Sequence, residues 1–212
     1  MTHDVTSCTK KSRGRPKVFD REAALDKAMT LFWKHGYEAT SLSDLVEATG
    51  AKAPTLYAEF TNKEGLFRAV LDRYITRFAS RYEAQLLCEE KSVEQALLDY
   101  FSAIATCFSN KDTPAGCFMI NTSATLAASS NEIAHTIKSR HALQEKTLLQ
   151  FLQQRQSRGE LPASADTANL AQFLSCILQG MSVSAREGAS LETLMQITHT
   201  TLRLWPELVK TS

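Results

Sequence analysis

Residues 40–67, TSLSDLVEATGAKAPTLYAEFTNKEGLF, decide the fold class of this chain. Ser41, followed three residues later by Asp44, is typical of the capping box that begins a helix, and Gly50 suits the end of that helix. Pro54 suits the first turn of a second short helix, because its missing N–H would have no partner there. Two short helices joined by a tight turn are a helix-turn-helix arrangement, whose second helix enters the major groove of DNA.

Helical periodicity continues through nearly the whole chain, and this predicts an all-α fold. The eight glycines and five prolines fall mostly between periodic segments, and no stretch alternates polar and apolar residues as a strand would. We predict a first helix from about Asp20 to Gly36, and a fourth helix that starts at Thr61 or Asn62 and runs to about Cys88. A two-turn helix is not stable alone, so the first and fourth helices must support the two short ones.

The composition is that of an ordinary globular protein. Of 212 residues, 43% are hydrophobic and 22% are charged, and no apolar run approaches the length needed to cross a bilayer. The amino terminus lacks the apolar segment of a secretory signal, and the five cysteines form no CxxC pair and no even-numbered framework. We therefore expect a cytoplasmic protein with free thiols and no membrane partner.

The positive charge of the chain is concentrated before residue 19. The whole chain has a net charge of +1, yet this leader has five basic residues against one acidic residue. Arg13, Arg15 and Lys17 lie in RGRPK, where proline prevents a helix and the alternating arginines suit an A·T-rich minor groove. We predict that residues 1–18 form a disordered basic arm that contacts DNA, and a merely solubilising tail is the alternative.

The stretch ATSLSDLVEATGAKAPTLYAEFTNKEGLF, residues 39–67, closely resembles the DNA-binding signature of the TetR family of bacterial transcriptional regulators. The resemblance implies a DNA-binding domain at residues 19–65 and a larger helical ligand-binding and dimerisation domain at residues 66–212. It also implies a one-component regulator, most often a repressor, that binds a palindromic operator as a homodimer and is released by a small effector. Three further stretches, SRGRPKVFD, GCFMINTS and LRLWPELVK, resemble a copper-responsive member of the family.

The resemblance and the chemistry of the side chains together predict which residues contact operator DNA. In the family, the tyrosine that matches Tyr57 bonds a DNA phosphate, and the alternative is a tyrosine packed on the first helix. Lys63 lies at a helix amino terminus, which favours anions, and the alternative is a solvated lysine. Thr55 can donate to a base edge or present its methyl group to thymine. Lys52 stands where many relatives carry a serine cap, so a cap is lost and a cation gained. For Ser41, phosphate contact and simple capping are equally good interpretations. The full predicted set is Arg13, Arg15, Lys17, Thr40, Ser41, Ser43, Lys52, Ala53, Pro54, Thr55, Tyr57 and Lys63.

The last two helices are predicted to pair two subunits. One recognition helix reads few bases, whereas two helices about 34–36 Å apart reach successive major grooves. The family dimerises through a four-helix bundle of these helices, and Gly180 would permit close approach of the backbones there. For each apolar residue, a place in the core of its own subunit is the alternative. The predicted interface comprises Leu170, Phe173, Ile177, Gly180, Met181, Leu194, Thr198 and Leu202.

The larger domain leaves two effector chemistries open, Cu(I) and a lipophilic small molecule, and no cofactor is required. An apolar pocket suits the lipophilic molecule and is predicted to be lined by Phe101, Ile104, Cys107, Cys117, Phe118 and Phe173. Thiolate and thioether ligands select Cu(I), and the candidate ligands are Cys107, Cys117, Met119, His135 and Cys176. Isolated buried cysteines and methionines more often serve only in packing, and the chain contains no CxxC or HxxxH motif.

Two other classes of function fit the chain less well. An enzyme would need a nucleophile with its base, a glycine-rich phosphate loop or a pair of carboxylates, and none occurs at a telling spacing. A metal-buffering helical protein would need closely spaced ligands. Neither class explains a basic arm followed by a helix-turn-helix, so we predict a regulator that is not an enzyme.

Overall fold

A computed structural model describes residues 19–126 and 131–210, and the predicted basic arm at residues 1–18 lies outside these ranges. Within the two ranges the secondary structure is helical throughout, in agreement with the predicted all-α class. The helices are α1 (Arg21–His35), α2 (Leu42–Thr49), α3 (Ala53–Phe60), α4 (Lys63–Tyr74), α5 (Ser80–Leu86), α6 (Val93–Phe108), α7 (Phe118–Ser123), α8 (Asn131–Ser157), α9 (Thr167–Arg186) and α10 (Leu191–Leu208), and a π-helix (Ile75–Ala79) joins α4 to α5.

Helices α1 to α4 begin and end largely at the predicted capping residues. The carboxylate of Asp20 accepts a hydrogen bond from a first-turn amide of α1 at 3.0 Å. Ser41 and Asp44 form the reciprocal capping box of α2, and Gly50 ends that helix in the left-handed conformation at φ 69°. Helix α3 starts without a side-chain cap, as expected from Lys52 at that position. These local interactions fix the two short helices and the turn between them.

The prediction of one continuous fourth helix up to Cys88 is wrong in detail. Asn62 caps α4 by accepting from the amide of Gly65 at 2.8 Å, but α4 ends at Tyr74 and five residues of π-helix follow before α5. No glycine or proline in this part of the sequence marks the change. A π-helix widens the helix locally and is frequently found at functional positions.

An ion-pair network holds α1 against α4. The Asp26 carboxylate accepts from Nε and Nη2 of Arg73 at 2.7 and 2.8 Å, and from Arg77 at 2.9 Å. Arg73 also contacts the carboxylate of Glu22. Arg73 lies in α4 and Arg77 in the π-helix, so the network spans the change in helical geometry. We infer that α1 and α4 move together.

Aromatic side chains join α1 and α4 to α7. Phe118 of α7 is fully buried, and its ring centroid lies 6.2 Å from Trp33 of α1 and 5.5 and 5.3 Å from Phe67 and Tyr74 of α4. In the larger domain, α6 packs chiefly on α10 and α5, while α8 packs on α9. A displacement of α4 would therefore disturb the packing of both parts of the chain.

The cysteines of the described ranges, Cys88, Cys107, Cys117 and Cys176, are free thiols. Among the helices described over residues 19–126 and 131–210, none combines the length and the apolar character needed to cross a bilayer. Burial separates the thiols into two groups: Cys107 and Cys117 are buried, Cys88 is half-buried and Cys176 is exposed.

Candidate nucleic-acid interface and effector pocket

Helix α3 is anchored by one face and exposes the other. Leu56 and Phe60 are buried in the core, whereas Pro54, Thr55 and Tyr57 are exposed, with 43% of Tyr57 accessible to solvent. A large aromatic residue left this accessible is not required for the packing of α3 on its neighbours. Its hydroxyl is free to donate to a phosphate, which is the role predicted for it.

The amino end of α2 offers fewer free hydroxyls than the sequence predicted. Ser43 is exposed, but Ser41 is engaged with Asp44, accepting from its amide at 3.1 Å and donating to its carboxylate at 2.7 Å. The prediction that the side chain of Thr40 contacts DNA is wrong. Thr40 is buried, and its hydroxyl donates to the carbonyl of Gly36 at 2.7 Å, so it closes the turn between α1 and α2.

Lys63, the first residue of α4, is held in place by two neighbours. Its Nζ atom lies 4.4 Å from the ring centroid of Tyr37 and donates to the carbonyl of Glu38 at 3.4 Å. Partial burial lowers the pKa of Lys63. The ammonium group is therefore positioned at the amino terminus of a helix, where anions are favoured. Sequence reasoning missed Tyr37, although an aromatic residue directly after the glycine that ends α1 was a visible signal.

Arg21 is a second residue that sequence reasoning missed. Its Nε atom donates to Glu59 at 2.7 Å, and its guanidinium carbon lies 5.4 Å from the ring centroid of Phe60. These contacts tie the start of α1 to the end of α3. The described part of the chain therefore begins beside α3, and the predicted basic arm precedes it in the sequence. At the other end of α3, Lys52 is exposed and Ala53 is half-buried.

A small cavity in the larger domain lies against the end of α4. Its volume is about 10 Å³, which is on the order of one water molecule. The lining combines aromatic, aliphatic and sulfur-bearing side chains from several helices. These residues are Tyr74, Ala79, Tyr82, Ile104, Phe108, Cys117, Met119, Gln144 and Leu178.

One buried thiol of the lining contacts a phenol at this cavity. Tyr74 and Cys117 lie 3.3 Å apart between Oη and Sγ, whereas Cys107 is buried on α6 and does not belong to the lining. Burial raises the pKa of both thiols, so both are protonated at neutral pH. The backbone amide of Cys117 donates to the hydroxyl of Ser182 at 2.8 Å, which fixes the start of α7 against α9.

The remaining predicted effector residues do not meet at the cavity. Phe101 and Phe118 are buried but do not line it, and Phe173 is half-buried on α9. Cys176 and His135 are both exposed and lie on different helices. Over the described ranges, no three His, Cys, Asp or Glu side chains are grouped so as to hold a metal ion. The phenols of the cavity were missed because their helical spacing indicated only core packing.

The predicted dimer interface divides into accessible and buried residues. Phe173, Ile177, Gly180 and Leu202 retain accessible surface. The other four are packed inside their own subunit, so the prediction that they form an interface is wrong. Helical periodicity identified apolar faces on α9 and α10 without showing which face is covered by neighbouring helices. The buried residues are Leu170, Met181, Leu194 and Thr198.

The chain matches two family models and close relatives. Residues 24–70 match the model of bacterial regulatory proteins of the tetR family, and residues 93–199 match the tetracyclin repressor-like C-terminal domain. The HTH-type transcriptional repressor ComR of Escherichia coli (strain K12) is 77% identical over 210 residues, which cover 99% of this chain and 100% of ComR. The HTH-type transcriptional repressor BdcR of the same organism is 30% identical over 190 residues, covering 90% of this chain and 91% of BdcR.

Solved structures of similar proteins include a DNA complex. A cysteine mutant of the TetR family regulator CifR, complexed with 26-base-pair double-strand operator DNA, has a TM-score of 0.86 at 30% identity. The alignment covers 91% of this chain and 100% of the CifR chain. These relatives are regulators of transcription, and the exposed outer face of α3 is consistent with a DNA-binding protein of this kind. The chain therefore belongs to the TetR family of bacterial transcriptional regulators.

Proposed function

We propose that this TetR-type transcriptional repressor binds a palindromic operator as a homodimer and releases it when a small effector enters the cavity lined by Tyr74 and Cys117. The observation that carries the DNA-binding part is α3, which buries Leu56 and Phe60 and leaves Tyr57 exposed. The presence of operator DNA in the CifR complex supports operator binding by this chain. Thr55 and Pro54 face outward with Tyr57 and are offered to the bases or the backbone.

The accessible face of α9 supports the homodimer. Phe173, Ile177, Gly180 and Val183 follow one another at spacings of three and four residues, so they share one side of the helix. Val183 is 46% exposed. Apart from the neighbouring backbone of α9 itself, a side chain added at Gly180 would meet no atom of the subunit's described residues within 4 Å, so the subunit's own packing does not require glycine there. The absence of a side chain at Gly180 permits a second copy of α9 to approach closely.

The contact between Tyr74 and Cys117 supplies a path from effector to DNA. Tyr74 is the last residue of α4, and Lys63 at the other end of α4 is a predicted phosphate contact. An effector that engages the Cys117 thiol removes its hydrogen bond to Tyr74. The end of α4 is then free to shift, and with it the ion-paired α1. Such an effector controls DNA binding only if it binds better to a dimer whose two α3 helices have a spacing different from the one that fits the operator.

Cu(I) is the effector that the cavity suits better. The donor set of the lining contains the thiol of Cys117 and the thioether of Met119, and thiolates and thioethers are the ligands that select Cu(I). Binding would displace the thiol proton, since thiolates are the metal ligands. A volume of about 10 Å³ suits a single ion. No step in this proposal uses the exposed Cys176 or His135.

A lipophilic effector is the second candidate, and the apolar lining favours it. Ile104, Phe108 and Leu178 surround the cavity. Drug-sized ligands, however, occupy pockets of roughly 300–1,000 Å³, so this effector would require α4 and the π-helix to move outward as it enters. The two candidates therefore differ in whether the cavity must expand.

The operator is identified by footprinting the purified full-length chain on genomic fragments. We expect protected sites with two-fold symmetry and half-sites about one helical turn apart, because a symmetric dimer reads successive major grooves. A single unsymmetrical half-site bound by a monomer would contradict the homodimer.

The effector is tested on that operator by anaerobic titration with Cu(I). We expect Cu(I) to release the wild-type chain from DNA and to have little effect on Cys117→Ser. The matched control is Cys176→Ser, which removes an exposed thiol and should respond like wild type. Release of Cys117→Ser at the wild-type Cu(I) concentration would eliminate this thiol as a ligand. Release by apolar compounds, with no response to Cu(I), would establish the lipophilic effector instead.

A further inference from the structure

A second cleft lies between the DNA-binding unit and the larger domain. Its volume is about 380 Å³, within the range of small-molecule sites. Part of its wall comes from the carboxyl-terminal half of α1, and the rest comes from the loop between α6 and α7, from α7 and from the end of α9. The lining includes Trp33, Lys34, Lys111, Asp112, Thr113 and Arg186.

Positive charge predominates in this cleft. Lys34, Lys111 and Arg186 are exposed cations, and Asp112 is the single acidic residue of the lining. In the described part of the chain, none of the three cations has a salt bridge with a carboxylate. Lys34 and Arg186 lie in the last turns of α1 and α9, where each offsets a partial negative charge of about half a unit. The helix ends therefore account for part of this charge, and the cleft stays net positive.

Two buried polar atoms of the lining residues lack hydrogen-bond partners within the described ranges. They are Nε1 of Trp33, whose side chain is almost fully buried, and Oγ1 of Thr113. An indole N–H can only donate, and leaving a buried donor unpaired is a cost to the stability of the fold. A ligand oxygen that accepts from these groups removes that cost.

The larger cleft, between α1 and α4, has cations that are already paired with carboxylates. Its volume is about 580 Å³, and its lining includes Arg21, Arg73 and Arg77. These arginines are already paired with Glu59, Glu22 and Asp26. The cations of this cleft therefore stabilise the packing of the helices, whereas the cations of the second cleft have no carboxylate partner among the residues that the structure describes and can bind an anion.

We propose that the cleft between Trp33, Lys111 and Arg186 binds a small oxyanion, the phosphate or carboxylate group of a metabolite. Lys34, Lys111 and Arg186 supply the charge, and Trp33 and Thr113 supply the buried donors. Trp33 and Lys34 belong to α1, whereas Lys111, Thr113 and Arg186 belong to the larger domain. The bound anion therefore links α1 of the DNA-binding domain to the larger domain of the same subunit. This second site is separate from the thiol cavity, and its occupancy by an anion can be measured in the absence of operator DNA.

The test uses the full-length chain labelled with ¹⁵N and inorganic phosphate as the probe. The sequence contains two tryptophans, so two indole N–H resonances report on Trp33 and Trp205. Both indole nitrogens are buried without a partner in the described ranges, which makes Trp205 an internal control. Phosphate added in place of chloride at constant ionic strength should shift the Trp33 resonance with saturation and leave that of Trp205 unchanged. Acetate in a parallel titration distinguishes a carboxylate from a phosphate preference.

Paired variants complete the test. Lys111→Ala with Arg186→Ala should weaken phosphate binding at least about tenfold, because each substitution removes a charge-assisted hydrogen bond to the anion. Lys138→Ala with Lys146→Ala removes the same charge from the exposed surface of α8 and should bind like wild type. Absence of a saturable Trp33 shift, or equal behaviour of the two double variants, overturns the proposal. It is also overturned if phosphate has no effect and loss of the cleft cations lowers the salt dependence of operator binding, because the cations then contact DNA.

Discussion

The phenol of Tyr74 lies 3.3 Å from the thiol of Cys117, and this buried contact joins the last residue of α4 to the start of α7. The ring of Tyr74 also packs edge-on against Trp33 of α1, with centroids 5.2 Å apart. Burial raises the pKa of both the phenol and the thiol, so the contact is a hydrogen bond between neutral groups at physiological pH. One residue therefore contacts both the proposed effector ligand and the DNA-binding unit.

Tyr74→Phe tests this connection. The variant keeps the aromatic packing and removes the hydroxyl, at a cost of about 1 kcal/mol for one neutral hydrogen bond. We expect operator affinity near that of wild type and a weaker release by Cu(I), measured by anaerobic fluorescence anisotropy on labelled operator. Chemical denaturation measures the loss of stability separately. A variant released by Cu(I) exactly as wild type would show that this bond does not transmit the signal.

Tyr57→Phe tests the exposed face of α3. The hydroxyl is predicted to donate to a DNA phosphate, and hydrogen bonds to charged groups contribute about 1.5–3 kcal/mol, so operator affinity should fall about tenfold or more. Folding should be unaffected, since Tyr57 is 43% exposed. Equilibrium binding and the urea midpoint distinguish the two effects. An unchanged affinity would mean that Tyr57 packs on the surface without contacting the backbone of DNA.

Arg13→Ala with Arg15→Ala tests the basic arm, which lies outside the described residues. Each phosphate neutralised by a protein cation contributes about 0.9 to the slope of log affinity against log salt concentration. The double variant should bind the operator more weakly and with a smaller slope. Titrations at several salt concentrations measure both quantities, and a slope identical to that of wild type would remove the arm from the interface.

Asp26→Asn tests the ion-pair network between α1 and α4. Hydrogen bonds from Arg73 lower the pKa of Asp26, and the charge of Arg77 adds to this effect. Because the folded pKa is depressed, the stabilisation is present above the unfolded pKa of about 3.9 and is lost as pH falls through the folded value. Solvent screening at this partly exposed site limits the difference near neutral pH to about 1 kcal/mol.

Urea denaturation of Asp26→Asn at neutral and acidic pH measures this dependence. The wild type should be more stable at neutral pH, and the difference should disappear in acid. Glu145→Gln neutralises an exposed carboxylate on α8, outside the network, and is the matched control. A stability difference that persists after Asp26 is protonated would indicate a packing effect rather than a charge effect.

The amino-acid sequence by itself determined the helix-turn-helix and most of its ends. Asp20, Ser41, Gly50 and Asn62 cap their helices as predicted, because a cap bonds backbone groups only a few residues away. The outward face of α3 followed from the spacing of Leu56 and Phe60, which leaves the residues between them exposed. Thr40 was misassigned because its hydroxyl bonds a carbonyl in the preceding turn, a choice that depends on how α1 meets α2.

Only the tertiary structure decided which apolar residues are buried within one subunit and which sulfur atoms share a cavity. Helical spacing gives the same stripe to Met181, which is buried, and to Ile177, which stays accessible, until the neighbouring helices are in place. In the same way, Cys117 directly precedes α7, yet its thiol reaches the phenol of Tyr74 in α4 and shares the cavity with the thioether of Met119. Contacts between residues distant in sequence arise from the packing of whole helices, and a local pattern contains no information about the partner's position.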